Sequence, residues 1–320
     1  MNTLILTRSE VMRLVNPAAL IEPMRKAFCD YSKRQMIPGR RFFTPLNGPG
    51  DAMILAPGLT PGVSAYTVKV HAKFSDQQPA IKGVLLLHDL QTGALMAVMD
   101  STYLTAVRTG LGAALATDLL ANSDAGSVAI VGAGVQGEFQ LRYLSLLRPL
   151  TRVTVYDIKA ARADAYAARL GNELNIPITP CATLASAVAD AEIILTATWS
   201  KKPILFADMV RTDCHITTLG ADQPDEAEIS AELIKQSEFF CDDRDLALSQ
   251  GAIGGVGLSA ADITAELGEV LAGKRYGRSK KSQLTIYGAV GIAFQDLVVA
   301  WQVYQNARAQ DVGRTLDFLA

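Results

Sequence analysis

The run Gly132-Ala133-Gly134-Val135-Gln136-Gly137 has the G-x-G-x-x-G spacing that lets a main chain turn tightly against a diphosphate. Glycine at the first position permits the turn, and at the second it lets a ligand approach the backbone. At the third it lets a helix pack on a strand. That helix would offer the unpaired amides of its N-terminus to the phosphates. Alone the pattern is common. Here an apolar run, 127–131, precedes it, and a second apolar run, 152–156, leads into Asp157. That is the context a dinucleotide fold requires. A carboxylate at Asp157 would accept hydrogen bonds from a ribose diol and repel a 2′-phosphate, which favours NAD(H) over NADP(H). Lys159 and Arg162 nearby weaken that preference.

In an open parallel sheet, ligands bind beyond the carboxyl ends of the strands. That rule singles out Thr198 and the stretch Leu219-Gly220-Ala221-Asp222. A carboxylate at Asp222 could hold an ammonium or transfer protons. An aspartate two residues before Pro224 is equally an ordinary turn residue, and the two readings stand level. Earlier in the chain, Thr67, Lys69, His71 and Lys73 share one face of a strand by the period-two rule, with Val68, Val70, Ala72 and Phe74 on the other. Lysines usually mark a solvated face. Arg40-Arg41 and Arg108 carry no signal by themselves, although Arg108 sits in a nearly neutral Ala/Leu/Thr helix.

The elements that must position these residues fall into two textures. Residues 1–100 carry turn signals at Asn47-Gly48-Pro49-Gly50, Pro57-Gly58 and Pro61-Gly62 between short apolar or alternating runs at 65–74 and 83–88. The spacing predicts an antiparallel sheet behind a helix over 17–34, followed by a helix over 104–121. From residue 127 the chain alternates strands (127–131, 152–156, 193–198, 215–219, 238–241, 285–287) with helices (135–147, 160–170). Such alternation means a parallel sheet covered on both faces. A closing helix within 290–307 lies beyond the last strand and could return to the first domain. The expected fold class is therefore α/β, a Rossmann-type doubly wound sheet inserted in a discontinuous α+β domain.

Composition agrees. Of 320 residues 49% are hydrophobic and 19% charged, which excludes disorder. Thirty basic against thirty-two acidic residues argue against a nucleic-acid partner. No apolar run approaches the ~18–20 residues needed to span a bilayer, and the opening residues show no secretory signal, so a cytoplasmic protein is expected. Cys29, Cys181, Cys214 and Cys241 form no metal or disulfide spacing, and His71, His88 and His215 are scattered, so no metal site is expected.

The chain resembles the ornithine cyclodeaminase/mu-crystallin family over essentially its whole length. The carrying stretches are Ile37-Pro38-Gly39-Arg40, Val68-Lys69-Val70, residues 99–110 (MDSTYLTAVRTG), Val131-Gly132-Ala133-Gly134-Val135-Gln136, Gly220-Ala221-Asp222-Gln223-Pro224 and Ala265-Glu266-Leu267-Gly268-Glu269-Val270. The resemblance implies NAD as cofactor, a small amino, imino or oxo acid as substrate, and a homodimer. It implies a substrate-binding and dimerisation domain over 1–121 with 290–320, and an NAD-binding domain over 122–289. Arg40, Lys69 and Arg108 match positions that hold the substrate's carboxylate and its carbonyl or imine side, and Asp222 matches the catalytic aspartate. The loop residues through Gly137, with Val135, Gln136, Asp157, Thr198 and Leu219–Ala221, match cofactor contacts, which Arg108 could share; Val290 matches a residue of the substrate pocket. Arginines suit bidentate carboxylate capture. Two guanidinium groups beside Lys69 would ease its proton loss.

The match to ornithine cyclodeaminase proper is incomplete. Residues 74–80 are too short for its segment after the lysine strand, Ala80 falls near its cofactor threonine, and Glu226 replaces a lysine. Asp222 is retained where mu-crystallin has a hydroxyl residue. An alanine-dehydrogenase-like or ketimine-reductase-like oxidoreductase is the first expectation. A cyclodeaminase and a non-catalytic binding protein are the alternatives.

Overall fold

The computed structural model describes residues 2–33, 42–46, 52–74, 77–221, 223 and 226–318. The chain divides into two compact units, residues 1–108 with 292–320 and residues 109–291. The sequence places these divisions at 121/122 and 289/290.

The first unit contains β1 (Asn2–Leu6), α1 (Arg8–Leu14), α2 (Pro17–Ser32), β2 (Phe42–Pro45), β3 (Ala52–Gly58), β4 (Ala65–Lys73), β5 (Ile81–Asp89) and β6 (Leu95–Asp100). It also holds the start of α3 (Ser101–Leu120), a helix that the division crosses between Arg108 and Thr109. The second unit continues with β7 (Ser127–Val131), α4 (Val135–Leu147), β8 (Arg152–Tyr156), α5 (Ala160–Leu174), β9 (Ile178–Pro180), α6 (Leu184–Val188), β10 (Ile193–Thr196) and β11 (His215–Thr218). It ends with α7 (Ala231–Lys235), β12 (Glu238–Cys241), α8 (Arg244–Ser249), β13 (Ala265–Glu266), α9 (Leu267–Leu271) and β14 (Thr285–Gly288). The first unit then resumes with α10 (Ala293–Gln310) and β15 (Arg314–Asp317).

Seven strands form the first unit's sheet in the order β15-β1-β6-β5-β4-β3-β2. Neighbours are antiparallel except β1 and β6, which pair parallel, so the sheet is mixed rather than purely antiparallel. Helix α10 begins later than the apolar run because Gly291 has φ +96° and Ile292 is the N-cap. The helix lies on β3 and β4 with α2 beside it, where Phe28 meets Phe294 edge-on at 5.1 Å.

That packing reverses the usual reading of β4. Thr67, Lys69, His71 and Lys73 are the buried residues, and Lys69 is only 2% exposed. Val68 and Val70 are merely half-buried. On the neighbouring strands Leu55 pairs with Val70, Val84 with Val70, and Leu86 with both Val68 and Val98. None of these apolar residues is fully buried, and Val84 is 42% exposed. The sheet thus has a polar inner face at β4 and an apolar outer one.

The second unit's eight strands are all parallel, in the order β13-β12-β14-β11-β10-β7-β8-β9. Strand order reverses between β7 and β10, which opens a ligand crevice at the carboxyl ends of those two strands. Apolar side chains such as Val131, Ile194, Ile216, Phe239 and Ile286 build a core around this sheet. The short strands β9 and β13 were not legible in the sequence. Among the described residues no helix is long and apolar enough to cross a membrane.

Candidate active site

The glycine loop joins β7 to α4, and each glycine has its own physical reason. Gly132 sits at φ +100°, and a Cβ there would clash with the Ala197 carbonyl oxygen. A Cβ on Gly137 would clash with the Gly132 carbonyl, so only glycine lets α4 press this close to the turn. Gly134 is different: it is exposed, it is the N-cap of α4, and nothing lies within 4 Å of a Cβ built there. No packing contact therefore requires a glycine at this position. Val135 beside it is 59% exposed, and the buried Oε1 of Gln136 has no hydrogen-bond partner.

Asp157, directly after β8, holds this loop. Its Oδ2 accepts from the Ala133 N–H at 3.0 Å and its Oδ1 from the Lys159 N–H at 2.9 Å. With an open cradle, a helix N-terminus and a carboxylate at the second strand's tip, these residues fit a dinucleotide.

Beyond β10 and β11, one side chain that sequence reasoning missed gathers the strand tips. Glu228 is fully buried. Its Oε2 accepts from Thr196 Oγ1 at 2.6 Å, Thr218 Oγ1 at 2.7 Å and the Gly220 N–H at 2.8 Å. Its Oε1 accepts from the Thr198 N–H at 2.6 Å. Gly220 is glycine because a Cβ there would overlap the Glu228 carboxyl carbon and the Thr198 carbonyl. Leu219 donates its N–H to the Thr196 carbonyl at 3.0 Å, and Ala221 is buried next to it. Thr198 and Gly220, both expected to touch cofactor, are thereby braced by a single carboxylate.

A second buried carboxylate, Asp242, lies at the end of β12. It accepts from the Val290 N–H at 3.1 Å, the Gly291 N–H at 2.6 Å and the Asp243 N–H at 3.0 Å. Burial pushes its carboxyl up to about 6, with the Asp243 charge adding and the N–H bonds opposing. Val290, the expected pocket residue, is therefore fixed through its backbone. Cys214 is buried and pushed up to about 12 by that burial, which leaves it an inert thiol.

In the first unit Lys69 and Arg108 converge. Lys69 Nζ donates to both oxygens of Asp296, at 2.7 and 2.9 Å. Arg108 Nη1 donates to Gln295 Oε1 at 3.1 Å, while its Nε lies 3.4 Å from Asp296 Oδ1, an ion pair without a hydrogen bond. Sequence reasoning missed Asp296. An anion there opposes the proton loss that guanidinium neighbours alone would favour at Lys69. Arg40 and Asp222 lie outside the described residues.

An open parallel sheet with a phosphate-cradling first turn, inserted in a unit that buries basic side chains, defines a two-unit α/β protein of dinucleotide-binding type. The profile of the ornithine cyclodeaminase/mu-crystallin family matches residues 1–311. The chain belongs to that family. Alanine dehydrogenase of Archaeoglobus fulgidus is 30% identical over 331 residues, covering 99% of each chain. An archaeal alanine dehydrogenase dimer solved with bound NAD superposes with a TM-score of 0.94 at 28% identity, over 100% of both chains. Thermococcus litoralis Δ1-pyrroline-2-carboxylate reductase, solved with NADH and L-proline, gives 0.93 at 27% identity, over 98% of this chain and 100% of that one.

Proposed function

We propose that this protein is an NAD(H)-dependent oxidoreductase that interconverts a small α-amino acid with its imino or oxo acid. The observation that carries the reading is Arg108. Its buried Nε has no hydrogen-bond partner, and a guanidinium with a donor to spare suits a substrate carboxylate. Lys69 would hold the carbonyl or imine side of the same substrate. By family resemblance, Arg40 joins the carboxylate site and Asp222 moves the proton. Gly132, Gly134, Val135, Gln136, Gly137, Asp157, Thr198 and the Leu219–Ala221 backbone would hold NAD, with Arg108 near enough in role to serve both ligands, and Val290 would line the substrate pocket. When bound, NAD(H) supplies or accepts the hydride at the substrate's α-carbon. The functional labels of the two domains, substrate and dimerisation for one and cofactor for the other, belong to the same proposal.

The assay mixes purified protein with NADH, ammonia and a panel of small 2-oxo acids and cyclic imines, and follows the absorbance of reduced nicotinamide. Net consumption on at least one substrate is expected. Ammonia release from ornithine without net change in NADH would replace this reading with a cyclodeaminase. Silence throughout would leave only a binding protein.

Asp157 should set the preference for NADH. A 2′-phosphate meeting that carboxylate is penalised by about 1–3 kcal/mol, roughly 5- to 150-fold. In Asp157→Ser, the ratio of kcat/KM for NADH over NADPH should fall by that order. Equal use of both cofactors by the wild type would sink the assignment.

A homodimer through the first unit is also proposed. The apolar face carrying Leu55, Val68, Val70, Val84 and Leu86 suits a second copy of the same chain, and sedimentation velocity tests this directly. Four unpaired cysteines and an NAD(H) requirement suit a reducing compartment, so a cytoplasmic location is proposed with them.

A further inference from the structure

We infer that Asp296 is a positioning carboxylate for the substrate side of the site, holding Lys69 as an ammonium and aiming Arg108. This rests on the function proposed above and adds to it a residue with a defined role. The geometry is built from the sequence upward. Gly58, near the end of β3, has no side chain, and a Cβ there would clash with the Ala293 carbonyl. The first turn of α10 can therefore press against the sheet. That places Gln295 and Asp296 opposite β4, where Lys69 is paired in register with Ala56 on one side and Leu85 on the other. Neither neighbour offers an acceptor side chain.

Asp296 is 1% exposed, so it cannot be a solvated surface charge. Both its oxygens accept from Lys69 Nζ, and Oδ1 also faces Arg108 Nε. Its place in the first turn of an 18-residue helix sets it near the positive end of the helix dipole. His71 and Lys73 share the buried face of β4 with Lys69, and Arg108 from α3 meets the same Asp296 carboxylate. Cations there would push Lys69 toward the neutral amine, and Asp296 pulls the other way at hydrogen-bond distance.

The chemical consequence is a division of labour. A lysine held as an ammonium donates hydrogen bonds and positive charge to a carbonyl or imine, and it is not the base. Proton transfer then falls to another group, the role that resemblance gives to Asp222. Arg108, tied to Gln295 through one nitrogen, keeps Nε for the incoming carboxylate.

The test does not need turnover. In protein labelled with 13C-lysine, the Cε signal of Lys69 is identified by its loss in Lys69→Arg and followed against pH. In the wild type Lys69 should stay an ammonium through neutral pH, because Asp296 offsets the burial and the neighbouring cations. In Asp296→Asn the midpoint should drop by about one to three units, and in Asp296→Glu, which keeps the charge, it should stay near that of the wild type. The alkaline limb of kcat/KM should move with it while NADH binding holds. A wild-type Lys69 already neutral near pH 7, or a midpoint that Asp296→Asn leaves in place, overturns the inference. If the protein turns over no substrate but the midpoint moves as stated, the proposed function fails and the role of Asp296 in charging Lys69 stands.

Discussion

Glu228→Ala should lower the melting temperature by roughly 10 °C and weaken NADH binding at least tenfold. The side chain is fully buried and receives four donors, Thr196 Oγ1, Thr198 N, Thr218 Oγ1 and Gly220 N. Each buried donor left without an acceptor costs about 1–3 kcal/mol. Water entering the vacated space recovers part of that, so a net loss of about 4 kcal/mol is expected, at ~2–4 °C per kcal/mol. Affinity falls for a separate reason: Thr198 and Gly220 are proposed cofactor contacts, and both amides lose their anchor. Glu228→Gln keeps the volume but turns an amide NH2 toward donors, so it should fold and still bind NADH more weakly. A thermal melt and a nicotinamide fluorescence titration read both effects. An unchanged melting temperature in Glu228→Ala would mean that the strand tips are held by something else.

Lys69→Ala should lower kcat by about 10²–10³-fold on the best substrate, the range for loss of a donor that stabilises charge developing on the reacting atoms. NADH affinity should be nearly unchanged, because Lys69 is not among the proposed cofactor contacts. A stability cost accompanies this change, since Asp296 would lose its main partner and become a buried charge facing only Arg108. Breaking a buried pair from one side costs about 3–5 kcal/mol. Kinetics should therefore be measured well below the melting point of the variant. Asp222→Asn, measured beside it, should lower kcat by a similar factor. A Lys69→Ala enzyme with nearly wild-type kcat would remove Lys69 from the site altogether.

The parallel sheet was largely legible in the sequence, and the reason is burial. Strands covered on both faces read as short continuous apolar runs, so β7 and most of β12 coincide with such runs, whereas β8 shows itself by alternation, with Val153 and Val155 buried. The mixed sheet was less legible. The period-two pattern of β4 identified its two faces but not which one is buried, because lysines point to solvent in most strands. Only α10, more than two hundred residues away in sequence, decides the matter by bringing Asp296 to Lys69. Glu228 escaped for a similar reason. A single glutamate between Ala227 and Ile229 carries no local signal, and its four partners belong to the tips of two strands. The glycine loop was readable because everything that defines it, the flanking strands and Asp157 included, lies within one short βαβ stretch, 127–157.

The first unit is closed by the end of the chain, and this sets an order of events during synthesis. The ribosome delivers β1 to β6 first, yet the helix that covers the inner face of β3 and β4 emerges only after the whole of residues 109–291. Until then the nascent sheet carries Lys69 without its carboxylate and leaves inner-face residues such as Ile54 and Ala56 of β3 uncovered. The parallel-sheet unit, whose residues are contiguous, can fold while the other waits. A chain truncated before Ile292 should accordingly yield a folded parallel-sheet unit trailing an aggregation-prone N-terminal half. Supplying residues 292–320 as a separate peptide is the natural attempt at complementation.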